Sequence, residues 1–176
     1  HAVSVVKHAN PCGLAVSDGQ PEAFRRAFAG DPVSAYGGIV GFNSPVSADT
    51  AEAMRGILLD VIVAPGYEDS AIEMLKKRKR TRVLRVAPGP AHELLARPVS
   101  GGMLMQTPGD LGENPASWQV VSERDPTAGE LADLAFAWVA CRLIKSNAIV
   151  LTKDQTLIGM GAGQPNRVTS VDLAIR

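Results

Sequence analysis

The sequence has few cysteines, only Cys12 and Cys141. Two cysteines are too few for a disulfide framework or for a zinc site built on several thiolates. A zinc deaminase would need a His-x-Glu element and a Pro-Cys-x-x-Cys element, which together hold a metal that activates water. Only Pro11-Cys12 is present, and no His-x-Glu occurs. We therefore expect no catalytic metal.

The chain also lacks a net charge and a long hydrophobic run. Eighteen Lys and Arg residues balance eighteen Asp and Glu residues, so no global field draws the protein to nucleic acid or to a membrane surface. No apolar stretch reaches the roughly 18 residues typical of a membrane span, and the start has no basic region before a hydrophobic signal core. With 45% hydrophobic residues, the 176-residue chain can bury a core. These features predict a globular cytoplasmic protein that binds neither nucleic acid nor membrane.

Both ends resemble interior segments of a longer protein. Residues 1–6 have no initiator Met and begin within an apolar strand pattern. Residues 168–176 read as the opening turns of a helix with no stop signal after them. We therefore expect a fragment that lacks part of its parent's apparatus.

Strand and helix patterns alternate through the first part of the chain. Short apolar runs bounded by Gly and Pro predict strands, and amphipathic segments between them predict helices. This alternation is typical of a layered α/β sheet. The predicted strands are residues 3–6, 39–42, 59–64, 81–86 and 102–106, and the predicted helices are residues 21–29, 47–55 and 68–77.

A connector rich in Pro, Gly, Asp and Asn, residues 108–115, divides the chain. We predict a first lobe over residues 1–115 and the start of a second lobe over residues 116–176. Residues 126–130 then form a capping-box signature at the start of a helix with an apolar stripe. Paired strands are predicted over residues 147–151 and 156–160, followed by a glycine-rich bend.

Chemically active side chains stand at the end of the first predicted strand. The run KHANPCG, residues 7–13, places the Lys7 ammonium and the His8 imidazole on a loop that Pro11 and Gly13 are expected to bend sharply. An imidazole can accept a proton near neutral pH, so the pair suits proton transfer. The alternative interpretation is a solvated strand end without chemistry.

Two glycine-containing segments and one acid are further candidates. Three glycines in residues 159–167 allow a ligand to approach the backbone, and Arg167 would stand near a helix start, where amides favour anions. The alternative is a tight turn with a surface arginine. Gly37 and Gly38 either expose backbone to a substrate or relieve crowding at a strand start. Asp60, at the start of a strand, can accept hydrogen bonds from a ligand amine or a ribose hydroxyl.

The basic run Lys76-Lys77-Arg78-Lys79-Arg80 is the strongest charge feature. Nucleic-acid binding would require it to be part of a wider basic face, which the balanced total charge argues against. The alternative is a set of solvated cations in the last turn of a helix, where they offset its dipole. His92 lies beside Glu93 in a surface-like helical pattern, and we assign it no role.

Taken together and in order, five segments resemble the transformylase domain of the bifunctional AICAR transformylase/IMP cyclohydrolase family. They are KHANPCG at residues 7–13, DPVSAYGGIV at 31–40, VAPGYE at 63–68, KSNAIV at 145–150 and GMGAGQ at 159–164. The resemblance covers essentially the whole chain. It implies an α/β fold of three-layer α/β/α type, with cytidine-deaminase-like lobes and no catalytic zinc.

The resemblance also implies transfer of a formyl group from 10-formyltetrahydrofolate to the 5-amino group of AICAR, the ribonucleotide of aminoimidazole carboxamide. It implies that His8 is the base, that Lys7 steadies developing negative charge and that Asn147 orients the nucleotide. It further implies AICAR contacts at Gly37, Asp60 and Arg167, and a folate contact at Val168. It implies a homodimer in the full-length protein, with IMP cyclohydrolase activity in a separate N-terminal domain of which no part is present here.

The sequence departs from the family pattern in three places. The family's upstream Arg-Tyr-Gly-x-Asn-Pro element and its long C-terminal remainder are absent, and Asn166 stands where relatives usually have serine. Two other hypotheses therefore stay open. One is an inactive nucleotide-binding half-domain that needs a complementary segment, and the other is a basic RNA-associated module.

Overall fold

The computed structural model describes residues 1–87, 89, 94–107 and 114–176. The strands are β1 (Ala2–Lys7), β2 (Asn10–Val16), β3 (Gly38–Phe42), β4 (Leu59–Ala64), β5 (Arg82–Arg85), β6 (Leu95–Val99), β7 (Gly102–Gln106), β8 (Ile149–Lys153) and β9 (Thr156–Gly161). The helices are α1 (Gln20–Gly30), α2 (Ala48–Ala53), α3 (Asp69–Leu75), α4 (Ala128–Arg142) and α5 (Arg167–Ile175).

Seven of these strands form one mixed sheet in the order β5-β4-β3-β1-β2-β9-β8. Strands β3, β4 and β5 run parallel to one another, whereas the pairs that involve β1, β2, β8 and β9 are antiparallel. Strands β6 and β7 form a separate antiparallel ribbon. The predicted strands over residues 3–6, 39–42, 59–64 and 81–86 are all confirmed within a residue or two of their bounds.

The main core lies between one face of the sheet and the helices α1, α2 and α3. Ala23, Phe24 and Ala27 recur at helical spacing on one face of α1 and are buried. They pack in one cluster with Val3 and Val5, the alternate residues of β1 that point to the same side. Burial of a side chain as large as that of Phe24 contributes about 1.5–3 kcal/mol. This cluster fixes β1, and with it the end of the strand that carries Lys7.

Helix α4 lies on the opposite face of the sheet. Ala2 and Ser4, the residues of β1 that alternate with Val3 and Val5, line an apolar groove of about 790 Å³ together with side chains of α4. Helix α5 packs on the α1 side, against β9. Helices therefore cover both faces of the sheet, and the expected α/β fold of three-layer α/β/α type is confirmed.

The segment after His8 is a strand, so the expected sharp loop through Pro11 and Gly13 is wrong. A strand can hold Pro11 because β2 is bonded only to β1 at that point and needs no second ladder donor, as at a sheet edge. The register between β1 and β2 also shifts at Val5/Val6. Gly13 serves packing, since a Cβ there would stand 1.8 Å from the Ala27 carbonyl oxygen of α1.

Some predictions fall outside this picture or remain untested. His92, Glu93 and most of the connector at residues 108–115 lie outside the described residues. Strand β6 was not predicted, and the predicted strand over residues 102–106 forms its ribbon with β6. Strands β8 and β9 join the same sheet as β1 to β5. The division into lobes at residue 115 stays a prediction. Among the helices described, none is long and apolar enough to cross a membrane.

Candidate functional site at one edge of the sheet

The register of the strands places the candidate residues along one edge of the sheet. Strand β1 ends at Lys7, and its antiparallel partner β3 begins beside it, directly after Gly37. Strand β4 runs parallel to β3 and begins at the same edge, with Asp60 as its second residue. Beyond β2, β9 ends and β8 begins at this edge. Asn147, just before β8, and Arg167, soon after β9, therefore lie there as well.

His8 lies in a two-residue hairpin turn between β1 and β2. Its φ is 49° and that of Ala9 is 69°, so both residues of the turn are left-handed, as in a type I′ turn. A left-handed residue with a Cβ costs roughly 1–2 kcal/mol, so this turn normally favours Gly, which has no Cβ, and Asn, whose side chain can hydrogen-bond locally. The turn leaves the His8 side chain exposed at the sheet edge. Such retained backbone strain is typical of residues held for function.

Lys7 and Asp60 converge on the backbone of Gly37. The Lys7 ammonium donates a hydrogen bond of 2.6 Å to the Tyr36 carbonyl oxygen. A Cβ on Gly37 would stand 3.5 Å from Lys7 Nζ and 3.6 Å from Asp60 Oδ1. With φ of 64°, Gly37 adopts a backbone conformation that residues with side chains rarely adopt. The bare glycine thus leaves space between a cation and a carboxylate.

Gly38 has a different role from Gly37. A Cβ on Gly38 would stand 2.9 Å from the Ala35 carbonyl oxygen and 3.1 Å from that of Val6. Of the two interpretations offered for this glycine pair, relief of crowding therefore describes Gly38. Gly37 is half-buried, and its amide donates a bond of 3.0 Å to the Leu58 carbonyl oxygen, so exposure of its backbone to a substrate stays a prediction.

Asn147 is anchored by backbone atoms of the segment before α5. Its side-chain nitrogen donates to the carbonyl oxygens of Gln164, at 2.9 Å, and Pro165, at 3.1 Å. Ser170, which is fully buried, donates from Oγ to the Asn147 carbonyl oxygen at 2.8 Å. Within the described part of the chain these bonds leave the Asn147 side-chain oxygen free to accept a hydrogen bond from a ligand.

Arg167 is the first residue of α5, as the sequence predicted. The side chain of Asn166 caps the helix by accepting a bond of 2.8 Å from the Val168 amide. Asparagine and serine cap helices equally well, so the departure at Asn166 leaves this helix start intact. Val168 is 66% exposed and Arg167 is exposed beside it. The free amides and positive dipole end of α5 favour an anion next to the Arg167 guanidinium.

Two of the three glycines in the expected glycine-rich bend serve helix packing, so the expectation that they cradle a ligand is wrong. Gly159 and Gly161 belong to β9, and Cβ atoms there would stand 2.0 Å and 1.9 Å from the carbonyl oxygens of Ala174 and Ser170. Because glycine has no Cβ atom, α5 can lie directly on β9 at these two positions. Gly163, with φ of 66° and open space around it, makes the turn itself.

The candidate residues thus form two groups. Lys7, Gly37 and Asp60 make one group next to His8, and Asn147 and Arg167 make the other. Strands β2 and β9 lie between β1, which ends at Lys7, and β8, which begins just after Asn147, and three strand spacings correspond to about 14 Å. Among the residues described, no hydrogen bond joins the two groups. The gap is wide enough for a small ligand to contact both.

Sequence reasoning missed two features of this edge. The carbonyl oxygen of Tyr36 holds Lys7, and backbone positions of this kind have no sequence signature. Ser170 holds Asn147, and its signal was present as a small polar residue on the buried face of a predicted helix.

Cys12, close in sequence to His8, is a half-buried thiol. Burial, followed by the nearby Asp31 carboxylate, raises the pKa of the Cys12 thiol, so the thiol stays protonated and weakly reactive. Its Sγ contacts the Val5 carbonyl oxygen at 3.5 Å.

Comparison with known proteins identifies the family of this chain. The family described as AICARFT/IMPCHase bienzyme matches residues 1–176, and the chain belongs to that family. Similar relatives are bifunctional purine biosynthesis proteins named PurH. The protein of Dictyostelium discoideum is 45% identical over 188 residues, that of Synechocystis sp. 47% over 178 and that of Nostoc punctiforme 46% over 177. Each match covers 99% of this chain and 34% of the relative, so the chain spans about a third of these relatives' length.

Proposed function

We propose that this chain is part of an AICAR formyltransferase that uses 10-formyltetrahydrofolate. The observation that carries the proposal is the convergence of Lys7 and Asp60 on the bare Gly37 backbone, at the sheet edge where His8 is exposed. Membership of a bienzyme family whose relatives act in purine biosynthesis supports the same function. IMP cyclohydrolase activity would then belong to the parent protein, in a separate domain.

In the proposed reaction, the 5-amino nitrogen of AICAR attacks the formyl carbon of the folate. The new nitrogen–carbon bond forms as the carbonyl electron pair moves to oxygen, and His8 accepts the proton that the amine loses. Lys7, held by the Tyr36 carbonyl, stabilises the oxyanion. Collapse of the intermediate breaks the bond to the folate nitrogen, which gains a proton and leaves as tetrahydrofolate. His8 can return the proton it has accepted.

The other candidate residues bind and orient the substrates. Asp60 accepts hydrogen bonds from the ribose hydroxyls, Gly37 presents its backbone to the nucleotide, and Arg167 contacts the nucleotide as a cation at the start of α5. Asn147 orients the reacting groups through its free side-chain oxygen. Val168, exposed beside Arg167, contacts the folate. We propose that the full-length protein is a homodimer that needs neither metal nor nucleic acid for this step.

The test is a spectroscopic assay of tetrahydrofolate release by the full-length parent. His8→Ala should lower kcat by about 100-fold or more, the typical contribution of proton transfer by a positioned side chain. His1→Ala is the matched control, because His1 is also exposed but lies at the opposite end of β1 and contacts Ser44. A kcat for His8→Ala within about threefold of the wild type would contradict the role of base.

An inactive nucleotide-binding half-domain is the second candidate, because the chain spans 34% of its relatives' length. Calorimetry of the isolated chain with AICAR, beside the release assay with folate present, separates the two functions. Binding without turnover supports the half-domain, and turnover by the isolated chain contradicts it.

A further inference from the structure

A basic cavity lies beyond the proposed formyltransferase residues, on the β5 side of the sheet. It has a volume of about 520 Å³, within the range of small-molecule sites. Neither Lys7, His8, Gly37 nor Asp60 lines it. Its cationic lining residues are Arg55, Lys77, Arg78, Lys79 and Arg80, and Glu52 is the one acid in the lining.

The basic run that lines this cavity is not the last turn of a helix, as its sequence context had suggested. Helix α3 ends at Leu75, and Arg78 turns back toward the end of α2. Its half-buried guanidinium donates to the carbonyl oxygens of Met54, at 2.9 Å, and Ile57. A third bond of 3.3 Å reaches the Thr81 hydroxyl. Arg78 therefore fixes the cavity wall, and its neighbours face the cavity on a held backbone.

Four of the five lining cations, Arg78 among them, have no carboxylate partner in the described part of the chain. Arg55 pairs with Glu52 at 3.2 Å, and just outside the cavity Lys76 pairs with Glu73 at 2.7 Å. Lys77, Lys79 and Arg80 have no acidic oxygen within 4.0 Å among the residues described. Uncompensated like charges around a concavity concentrate a positive potential there. Such a potential attracts a ligand that carries several negative charges close together.

The lining of the cavity also includes apolar residues. Ile57, Met74 and Leu75 contribute to it. A lining that combines apolar side chains with several cations suits a ring attached to a chain of phosphates. It does not suit an extended nucleic-acid backbone, which needs a longer basic face.

We propose that this cavity binds an oligophosphate chain, either free or as part of a nucleoside polyphosphate. Strand β5 runs parallel to β4, so the cavity opens at the same sheet edge as Asp60. Leu58 lines the cavity, and its carbonyl oxygen accepts a bond of 3.0 Å from the Gly37 amide. An occupant of the cavity would therefore contact Leu58, which is hydrogen-bonded to Gly37 of the proposed AICAR site. The proposal does not depend on formyl transfer.

The test is isothermal titration calorimetry of the chain with tripolyphosphate, ATP and AMP at about 150 mM salt, where weak surface attraction is screened. The variant Lys77→Gln/Lys79→Gln/Arg80→Gln should weaken tripolyphosphate binding by about tenfold or more, since three charges in contact with the anion are lost. Lys76→Gln is the matched control, because Lys76 is adjacent, exposed and already paired, and should stay within about twofold. Tighter binding of ATP than of tripolyphosphate identifies a nucleotide, and equal binding identifies the phosphate chain alone.

Several outcomes would overturn the proposal. They are an absence of tripolyphosphate binding, equal binding by the triple variant, or an RNA oligomer bound more than about tenfold tighter than ATP. Loss of tripolyphosphate binding in His8→Ala would show that the anion binds at the formyltransferase site and not in this cavity. Amide chemical shifts provide a measurement on the unaltered chain. Addition of tripolyphosphate should shift residues 55–58 and 77–81, and shifts confined to other residues contradict the proposal.

Discussion

At the scale of single residues, the two hairpin turns of the sheet are built without glycine. The turn between β8 and β9 has φ values of 50° at Asp154 and 53° at Gln155. There the Asp133 carboxylate accepts from both backbone amides, at 2.9 Å and 2.6 Å, which compensates the strain. The His8–Ala9 turn has no such side-chain support among the residues described. The sequence His-Ala carries no type I′ signal, so this turn could not be predicted from sequence.

A comparison of two glycines with positive φ tests the role of Gly37. Gly37→Ala and Gly101→Ala should each lower the free energy of unfolding by about 1–2 kcal/mol, because φ is 64° and 81° at these positions. Only Gly37→Ala adds a methyl group between Lys7 and Asp60, whereas Gly101 has nothing within 4 Å. In the full-length parent, we expect Gly37→Ala alone to weaken AICAR binding, by about tenfold, or about 1.4 kcal/mol.

Urea unfolding and AICAR calorimetry on the same preparations check this pair. Gly101→Ala serves as the control for backbone strain, and it should bind AICAR like the wild type. Equal AICAR affinity in Gly37→Ala and the wild type would remove Gly37 from the proposed nucleotide contacts.

At the scale of elements, the position of α5 depends on the two glycines of β9. Gly161→Ala would place a methyl group 1.9 Å from the Ser170 carbonyl oxygen, so α5 must move away from β9. Overpacking of this kind costs about 1–3 kcal/mol. The displacement should also loosen the bond from Ser170 to Asn147.

Gly129→Ala, in the first turn of α4, is the control for that substitution. A Cβ at Gly129 meets nothing within 4 Å, and alanine is the better helix former, so stability should rise by up to about 1 kcal/mol. The unfolding temperatures of the two variants, compared with that of the wild type, test this prediction. If Gly161→Ala unfolds at the same temperature as the wild type, α5 is not held by close backbone contact with β9.

The capping box of α4 makes part of the stability depend on pH. A two-pronged hydrogen bond from Arg124, at 2.8 Å and 2.9 Å, and bonds from Thr127 lower the pKa of Glu130 to about 2. Because the pKa is lower in the folded state, this contribution is present above about pH 4.5 and is lost as pH falls toward about 2. Glu130→Gln cannot titrate and should lose less stability between pH 6 and pH 3 than the wild type.

Urea midpoints at the two pH values measure this difference. Glu123→Gln removes a nearby exposed carboxylate outside the capping box, and it should keep the pH dependence of the wild type. If Glu130→Gln and Glu123→Gln lose equal stability on acidification, the capping box is not the source of the effect.

Elements with strong local signals could be predicted, and those decided by neighbours could not. The capping box at Thr127 and the start of α5 follow from side chains close in sequence. Strand β2 contains Pro11 and Gly13, which usually interrupt strands, and it forms because its register with β1 and the nearness of α1 accommodate them. The edge on which the site residues meet follows from strand order, which no local pattern specifies.

At the scale of the whole molecule, the sheet has one narrow junction. Strands β2 and β9 pair only at Ala15 and Thr156, supported by a bond from the Val16 amide to the Gln155 carbonyl oxygen. Arg26 of α1 spans this junction by donating to the carbonyl oxygens of Val16 and Asp154. The site groups at Lys7 and Asn147 lie on opposite sides of it. Their relative position therefore depends on a small number of bonds.

Native-state hydrogen exchange should detect opening of the sheet at that junction. Arg26→Ala removes a donor to two carbonyl groups, and each such bond contributes about 1 kcal/mol, so amides of β8 and β9 should exchange roughly 30-fold faster. The exchange rates of amides in β3 and β4 should be unchanged, since these strands open only when the main core unfolds. Arg25→Ala is the matched control, because Arg25 forms only an exposed pair with Glu22. Uniform acceleration across all strands would contradict a separate opening of β8 and β9.

The length of the hairpin that carries His8 is tied to the packing of α1. Its two-residue turn fixes the register in which β2 lies against β1. An insertion or deletion that shifts this register by one residue would turn every following side chain of β2 to the other face of the sheet. Gly13 would then leave its place under Ala27, and a residue with a Cβ would take it, 1.8 Å from the helix backbone. The packing of α1 on Gly13 therefore fixes the register of β2, and this register determines how far the proposed base His8 projects beyond the sheet.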